Sequence, residues 1–185
     1  IMSRVGKLLL SHPNFPIESP FARTVIYIYQ DDSVNGTTGV VLNKPCRTSV
    51  SIMCEQNGVM FPDTQPLLHM GGPVNPTALL LLHTDEWNSS NTAMAGDKYR
   101  ISSDNHMFLK MSSGNEPVYW RAFSGYASWQ PGQLDAEING VFPYTKDTVW
   151  LTADANDDIM FEYDHDEQWE AALDLCSQQT IDHFF

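Results

Sequence analysis

The chain has 185 residues, 42% of them hydrophobic, with 10 Lys and Arg against 23 Asp and Glu and a formal charge of −13 at pH 7. That length and apolar content predict one domain spanning residues 1–185 with a core of its own, and exclude a disordered chain. A surface this acidic repels phosphate backbones and anionic lipid, so any nucleic-acid contact must rest on a local basic patch.

Leu8 to Leu10 is far too short for a secretory core or a membrane span, and the run Ala78 to Leu82 is too short to span as well. Cys46, Cys54 and Cys176 form no CxxC pair, which predicts free thiols in a reducing cytoplasm. Thr24 to Tyr29 and Gly39 to Leu42 are strand-like. The turn residues Asp31 to Gly36 between them predict a hairpin in which Asn35-Gly36 supplies the positive-φ positions. Pro45 closes the second strand. Val50, Met53 and Cys54 recur at helical spacing within Thr48 to Gln56, with Asn57-Gly58 as the stop.

Leu67 to Met70 and Leu79 to His83 read as two strands split by the turn Gly71 to Pro76, the second one apolar enough to be buried on both faces. Asn88 to Thr92 has no period and reads as an exposed loop. A short strand over Tyr99 to Ser102 follows, then a helix capped by Asp104 and running through Met111, then a strand over Val118 to Phe123. Pro131 opens a helix reaching Ile138, with Leu134 and Ile138 on one face. Thr148 to Leu151 and Ile159 to Phe161 read as strands. Trp169, Ala172, Leu173 and Cys176 mark a helix over Glu167 to Cys176 by their i, i+3, i+4, i+7 spacing. This order is neither βα alternation nor an all-β repeat, and predicts an α+β fold with a largely antiparallel or mixed sheet.

Complete motifs for known chemistries are missing. Gly125-Tyr126-Ala127-Ser128-Trp129 lacks the second glycine of a nucleophile elbow, and no glycine-rich segment meets the phosphate-loop pattern. Asp154 to Ile159 starts like a calcium loop but has Ile159 where the turn needs glycine. Asp164 to Glu167 reads as a helix N-terminus with carboxylates set against the dipole rather than as a metal site. His69 and His83 flank the Gly-Gly-Pro turn and could face each other, either as structural histidines or as a catalytic pair. Cys46, beside Arg47, could carry a lowered pKa but reads as a small packing residue. Gly125 to Glu137 crowds aromatic, amide and carboxylate groups around two glycines, which suits a tightly built corner or a ligand edge.

Five blocks carry a resemblance. They are Ser19-Pro20-Phe21-Ala22-Arg23-Thr24-Val25-Ile26; Gly36 to Pro45; Gly71-Gly72-Pro73-Val74 followed by Leu82-His83; Gly125 to Trp129 through Gly132-Gln133-Leu134 to Glu137; and Ile159-Met160-Phe161 with Trp169 and Ala172-Leu173. In this order they resemble the AlgH/YqgE family of bacterial proteins over nearly the whole chain. The resemblance implies an α+β fold in which a mixed, largely antiparallel bifurcated sheet forms a pseudo-barrel with helices packed outside. It also implies the family's customary label of transcriptional regulator. The −13 charge opposes a DNA-binding face, as do Asp166, Glu167, Glu170 and Asp174 on the late helix. Ser128 departs from the glycine that the family usually has before the tryptophan, which bears on the local backbone. Cys176-Ser177-Gln178 departs from the family's usual ending.

The function read from the sequence is a non-enzymatic cytoplasmic regulator acting through a protein or small-ligand contact, with no catalytic residue, metal, cofactor or membrane contact assigned. The candidate ligand-binding residues recur in the matching blocks: Asn43, Pro45, Gly71, Gly72, Pro73, His83, Trp129, Gln133 and Glu137. One alternative is an enzyme in which Glu137 orients His83 as base in a cleft lined by Trp129 and Asn43. The other is direct DNA binding through Arg23, Lys44 and Arg47.

Overall fold

The computed structural model describes residues 3–62, 66–144 and 150–184. Within them the chain forms β1 (Lys7–Ser11), β2 (Val25–Asp32), β3 (Gly36–Val41), β4 (Pro45–Ser49), α1 (Val50–Gln56), β5 (Leu67–Met70), β6 (Val74–Thr84), β7 (Thr92–Met94) and β8 (Tyr99–Ser102). There follow α2 (Met107–Ser112), β9 (Trp120–Trp129), α3 (Gln133–Asn139), β10 (Trp150–Asp154), α4 (Asp157–Phe161) and α5 (His165–Phe184).

The strands run in the order β10-β1-β2-β3-β9-β6-β8-β7, with β4 and β5 off this path. Every pairing is antiparallel except β5 with β9. The sheet forks at β9. Its first half lies between β6 and β5, with His69 opposite Phe123, while Ala127 to Trp129 pair with Gly39 to Thr37 of β3.

Alternation of side chains on these strands builds three apolar layers, because a strand sends neighbouring residues to opposite faces. Leu8, Leu10, Val25, Tyr27, Leu80, Leu82 and Phe123 fill the space between the two limbs of the fork, closed by Ile159, Met160, Trp169 and Ala172 of α4 and α5. Leu81, Ala122 and Trp87 pack outward against α1 and α2. Leu9, Ile26, Ile28, Trp129 and Trp150 pack outward on the other limb against Leu134 of α3. Because both faces are covered, β1, β2 and β6 carry apolar runs without polar alternation.

The facing of β9 reverses at Gly125. Phe123 points into the middle layer and Ala122 outward, yet beyond Gly125 it is Ala127 and Trp129 that face outward. Gly125 has φ +77°, and a Cβ there would meet the Gly72 carbonyl oxygen, Pro76 and the Val74 carbonyl oxygen. The left-handed residue turns β9 at the fork, where the register of β9 with β6 shifts between Val74 and Leu79 and the extra residues lie on β6. Ser128 lies in ordinary strand pairing opposite Thr38 with its side chain exposed.

Several expectations are corrected. Pro45 opens strand β4 rather than closing β3. Of Asn35-Gly36 only Gly36 takes positive φ. The strand over Val118 to Phe123 begins at Trp120 and continues to Trp129, so the corner before α3 is confined to Gln130-Pro131-Gly132. Ile159-Met160-Phe161 lies in helix α4. The Asn156 side chain accepts from the Ile159 N–H at 2.9 Å, with Asp157 and Asp158 in the first turn, and a three-residue apolar run cannot oppose such a cap. Asp104 does not cap α2 directly, since His106 takes that position. Its carboxylate instead accepts from the His106 and Asn91 N–H groups and from the Ser89 hydroxyl, which pins the 88–91 loop. Residues 148–149 of the expected strand lie outside the described residues.

Candidate functional site

The densest polar cluster lies where β5, β9 and the α4–α5 turn meet. Its hub is Arg121, an arginine on the middle-layer side of β9 and buried there. Its guanidinium donates to the Leu42 carbonyl at 2.8 Å, the Gln168 side-chain oxygen at 2.9 Å and the Tyr163 carbonyl at 2.9 Å, and reaches the Phe161 carbonyl at 3.4 Å. Burial lowers its pKa and the Asp164 carboxylate opposes that, but a guanidinium keeps its proton. Gln168, fully buried, passes the connection on by donating to the Ile159 carbonyl at 2.8 Å.

Asp164 sits 3.8 Å from Arg121 and accepts from His69 Nε2 at 2.7 Å, while His69 Nδ1 lies 3.0 Å from the Leu67 carbonyl. Both ring nitrogens thus face oxygen atoms of the fold. Burial pushes the Asp164 carboxyl up, but the His69 bond and the Arg121 charge outweigh it and hold it below the ordinary carboxylate range.

Asn43 closes the cluster. Its Oδ1 accepts from Val25 N–H at 3.1 Å, and its Nδ2 donates to the Arg23 carbonyl at 2.9 Å and the His165 carbonyl at 2.8 Å. Arg23 and His165 have φ of +51° and +52°, rare for residues with a Cβ, so one buried amide clamps two strained backbones. Asn43→Leu should lower unfolding free energy by about 3 kcal/mol, since it removes the partner of the buried Val25 N–H and of the part-buried Arg23 and His165 carbonyls. Urea denaturation checks this, and a loss below about 1 kcal/mol would show that the clamp is idle.

The other candidates lie apart from this cluster or only border it. Pro45 faces His69 across β4 and β5. Gly71 and Gly72 are buried against Gly125 and Tyr126, where any Cβ would overlap backbone, and Pro73 is exposed beside them. Trp129 is buried edge-on to Trp150 at 6.0 Å. Gln133 accepts from the Gln130 N–H at 3.0 Å and so holds the turn into α3. Glu137 is half-buried, and burial raises its pKa against the opposing pull of the neighbouring Trp150, Gln133 and Trp129, while its Oε2 and the Trp150 indole N–H are buried without a hydrogen-bond partner.

His83 and Glu137 do not pair. His83 lies in the outer layer under α1 and α2, edge-on to Trp87 at 4.9 Å, whereas Glu137 lies beside Trp129 and Trp150 in the opposite outer layer. The His83–His69 pairing also fails, because β5 and β6 lie on opposite sides of β9 instead of forming a hairpin. His83 Nδ1 meets the Thr84 carbonyl at 2.8 Å, and Nε2 meets the Ser102 hydroxyl at 2.7 Å, which lies 2.7 Å from the Thr92 hydroxyl. That is a hydroxyl–imidazole pair, but both residues are 0% exposed.

Burial lowers the His83 pKa from its ordinary 6.5, so below that pH the unfolded chain binds a proton that the native chain resists. Stability is therefore held above pH 6.5 and falls as acid takes the chain down toward the lower native value. Thermal melts between neutral and mildly acidic pH should show this slope, and His83→Gln should flatten it. An unchanged slope in the variant would assign the effect elsewhere.

The basic patch expected for DNA is partly neutralised. Arg23 pairs with Asp166 at 2.8 Å and lies over the Trp169 ring, and Lys44 points to the Ala22 carbonyl. The three cysteines are thiols. Burial raises Cys46 rather than lowering it, and pushes Cys54 up to about 11, away from reactivity. No helix among the described residues is long and apolar enough to cross a membrane. A cavity of about 510 Å³ opens between α1 and α2, lined by Met53, Cys54, Leu79, Asp104 and Phe108, and contains none of the nine candidates.

Sequence reasoning passed over Arg121 and took Asp164 for a helix-end carboxylate. The signal was present, since an arginine inside an apolar strand must find acceptors if the strand is buried.

Residues 8–180 match the family model described as AlgH-like. A UPF0301 protein of Ruegeria pomeroyi is 31% identical over 97% of this chain and 95% of its own length, and one of Caulobacter vibrioides is 31% identical over 91% and 85%. The solution structure of the AlgH protein from Pseudomonas aeruginosa superposes with a TM-score of 0.74 at 25% identity, covering 94% of this chain and 89% of that one. A crystal structure of a Corynebacterium diphtheriae protein shares the fold, with a TM-score of 0.69 at 21% identity over 92% and 85%.

Proposed function

From the premise that this chain belongs to the AlgH-like family, we propose that it is a cytoplasmic regulatory protein that acts by contact with another protein and not by catalysis. The observation that carries this reading is where the chemistry-bearing side chains are spent. Asn43, Gln133 and Arg121 have their hydrogen bonds committed to the fold, and the His83–Ser102 pair is sealed at zero exposure, out of reach of a substrate. Free thiols at Cys46, Cys54 and Cys176 suit a reducing compartment. The cavity between α1 and α2 favours a second reading, a small ligand held against Met53, Leu79 and Phe108.

Photocross-linking tests the first reading in cells that make the chain with a benzophenone amino acid at exposed Val34, Met94 or Val118, one position at a time. A discrete adduct from one position, containing an identified protein and absent from the others, is the expected result. Absence of any adduct, together with a turnover that His83→Gln abolishes, would replace contact with catalysis.

A further inference from the structure

We propose that the cavity between α1 and α2 binds a small organic cation, an ammonium group carried on an apolar body. The proposal rests on the small-ligand reading above and names the class of ligand. At about 510 Å³ the cavity is within the size range of sites that hold small molecules. Met53 of α1, Leu79 of β6 and Phe108 of α2 give it an apolar lining, while Thr77, Ser103 and Asp104 bring polar groups to the same space.

Local bonding holds these walls. The Ser103 hydroxyl donates to the Leu79 carbonyl at 2.9 Å and so joins the turn before α2 to β6. β6 departs from regular pairing here, since its register with β9 shifts between Val74 and Leu79 and leaves Thr77 outside that ladder. Irregular strand segments of this kind recur beside binding sites, where they re-aim side chains. At the end of α1 the Asn57 side chain donates to the Met53 carbonyl at 2.8 Å, which ties down the helix terminus that borders the cavity. The space is thus framed by anchored elements rather than by a loose loop.

Charge identifies the occupant. Among the described residues Asp104 is the one charged group that lines the cavity. Its Oδ1 accepts from the Ser89 hydroxyl at 2.9 Å and the His106 N–H at 2.8 Å, and its Oδ2 accepts from the Asn91 N–H at 2.9 Å. Burial pushes its carboxyl up, but the Asn91, Ser89 and His106 bonds outweigh it and hold it below the ordinary carboxylate range, so it is ionised at neutral pH. These neutral donors fix the carboxylate in place and leave its charge uncancelled. An ammonium meets that charge while its apolar body covers Met53 and Leu79, and the Phe108 ring adds a face that attracts cations. A phosphate or carboxylate ligand finds no Lys, Arg or His in this lining, and Lys110 on α2 is turned to the Asn88 carbonyl and the Trp87 ring.

The test uses the purified full chain, titrated by heteronuclear NMR with three probes of similar shape, phenethylammonium, phenethyl alcohol and phenylacetate. The ammonium should shift the amides of Met53, Leu79 and Phe108 and bind about tenfold more tightly than the alcohol, a change of about 1.4 kcal/mol, with phenylacetate the weakest. Asp104→Asn should remove the ammonium's advantage and leave the alcohol bound, a pattern that a merely structural loss would not give. Thr77→Trp sets a bulky ring against the cavity and should weaken both probes about tenfold. Glu170→Gln on α5 removes the same charge elsewhere and should change the ammonium affinity less than about twofold, as expected for a screened remote charge. Thermal melts of each variant confirm that it folds, and the comparison of ammonium with alcohol on the unaltered chain stands even where Asp104→Asn does not.

Equal loss from Asp104→Asn and Glu170→Gln would reduce the binding to general attraction by an acidic chain and overturn the site. Equal affinity for ammonium and alcohol, both lost in Thr77→Trp, would overturn the cation and leave the small-ligand reading standing. Tighter binding of phenylacetate would likewise overturn the cation. Shifts confined to amides away from the cavity would place the binding elsewhere and overturn the site. No shift from any probe up to its solubility limit would remove the site and the small-ligand reading together.

Discussion

Arg121→Met is expected to cost about 3–5 kcal/mol of unfolding free energy, the range for removing one member of a buried charged network. Methionine fills much of the same volume but offers no donor, so the Leu42 and Tyr163 carbonyls and the Gln168 side-chain oxygen lose their partner together. Asp164 then keeps His69 but loses the neighbouring guanidinium. The strain spreads because these acceptors belong to the end of β3, the α4–α5 turn and α5. Arg121→Lys keeps the charge but brings one compact donor group where the fork served several directions, and should fall between the two. Urea denaturation with an unchanged m-value measures the loss, and a value below about 1 kcal/mol for Arg121→Met would show that water replaces the guanidinium.

Gly125→Ala is expected to cost about 2–4 kcal/mol, combining the left-handed backbone penalty of a residue with a Cβ and the overpacking of a closed site. The new methyl would press on the Gly72 carbonyl and on Pro76 at the fork of the sheet. Gly58→Ala separates the two causes. Gly58 has φ +78°, nearly that of Gly125, but a Cβ there has nothing within 4 Å. It should lose only the conformational part, about 1–2 kcal/mol. Equal losses in the two variants would mean that the close approach at the fork contributes nothing.

Much of the fold is legible in the residues themselves. The helix marked by Trp169, Ala172, Leu173 and Cys176 forms, extended at both ends. The hairpin across Asp31 to Gly36 forms too, because turn residues and β-branched runs act over a few positions. Ile159 to Phe161 misleads for the same reason. A run that short carries no period, and the Asn156 cap before it decides for helix. The candidate site is less legible. Asn43 and the Gly-Gly-Pro turn are picked out as special positions, yet in the fold they are a backbone clamp and a close crossing.

The sequence by itself determined the family and class, the acidic net charge, and that the strand over Leu79 to His83 is covered on both faces, because composition and side-chain alternation belong to the local chain. The tertiary structure alone decided which polar groups meet. Asp164 finds His69 across 95 positions, Arg121 finds Leu42 across 79 and Asn43 finds His165 across 122. Those meetings depend on β9 changing sheets at Gly125 and on α5 folding back over the fork. A hydrogen bond needs its partner within a fraction of an ångström, which chain-local preferences do not specify.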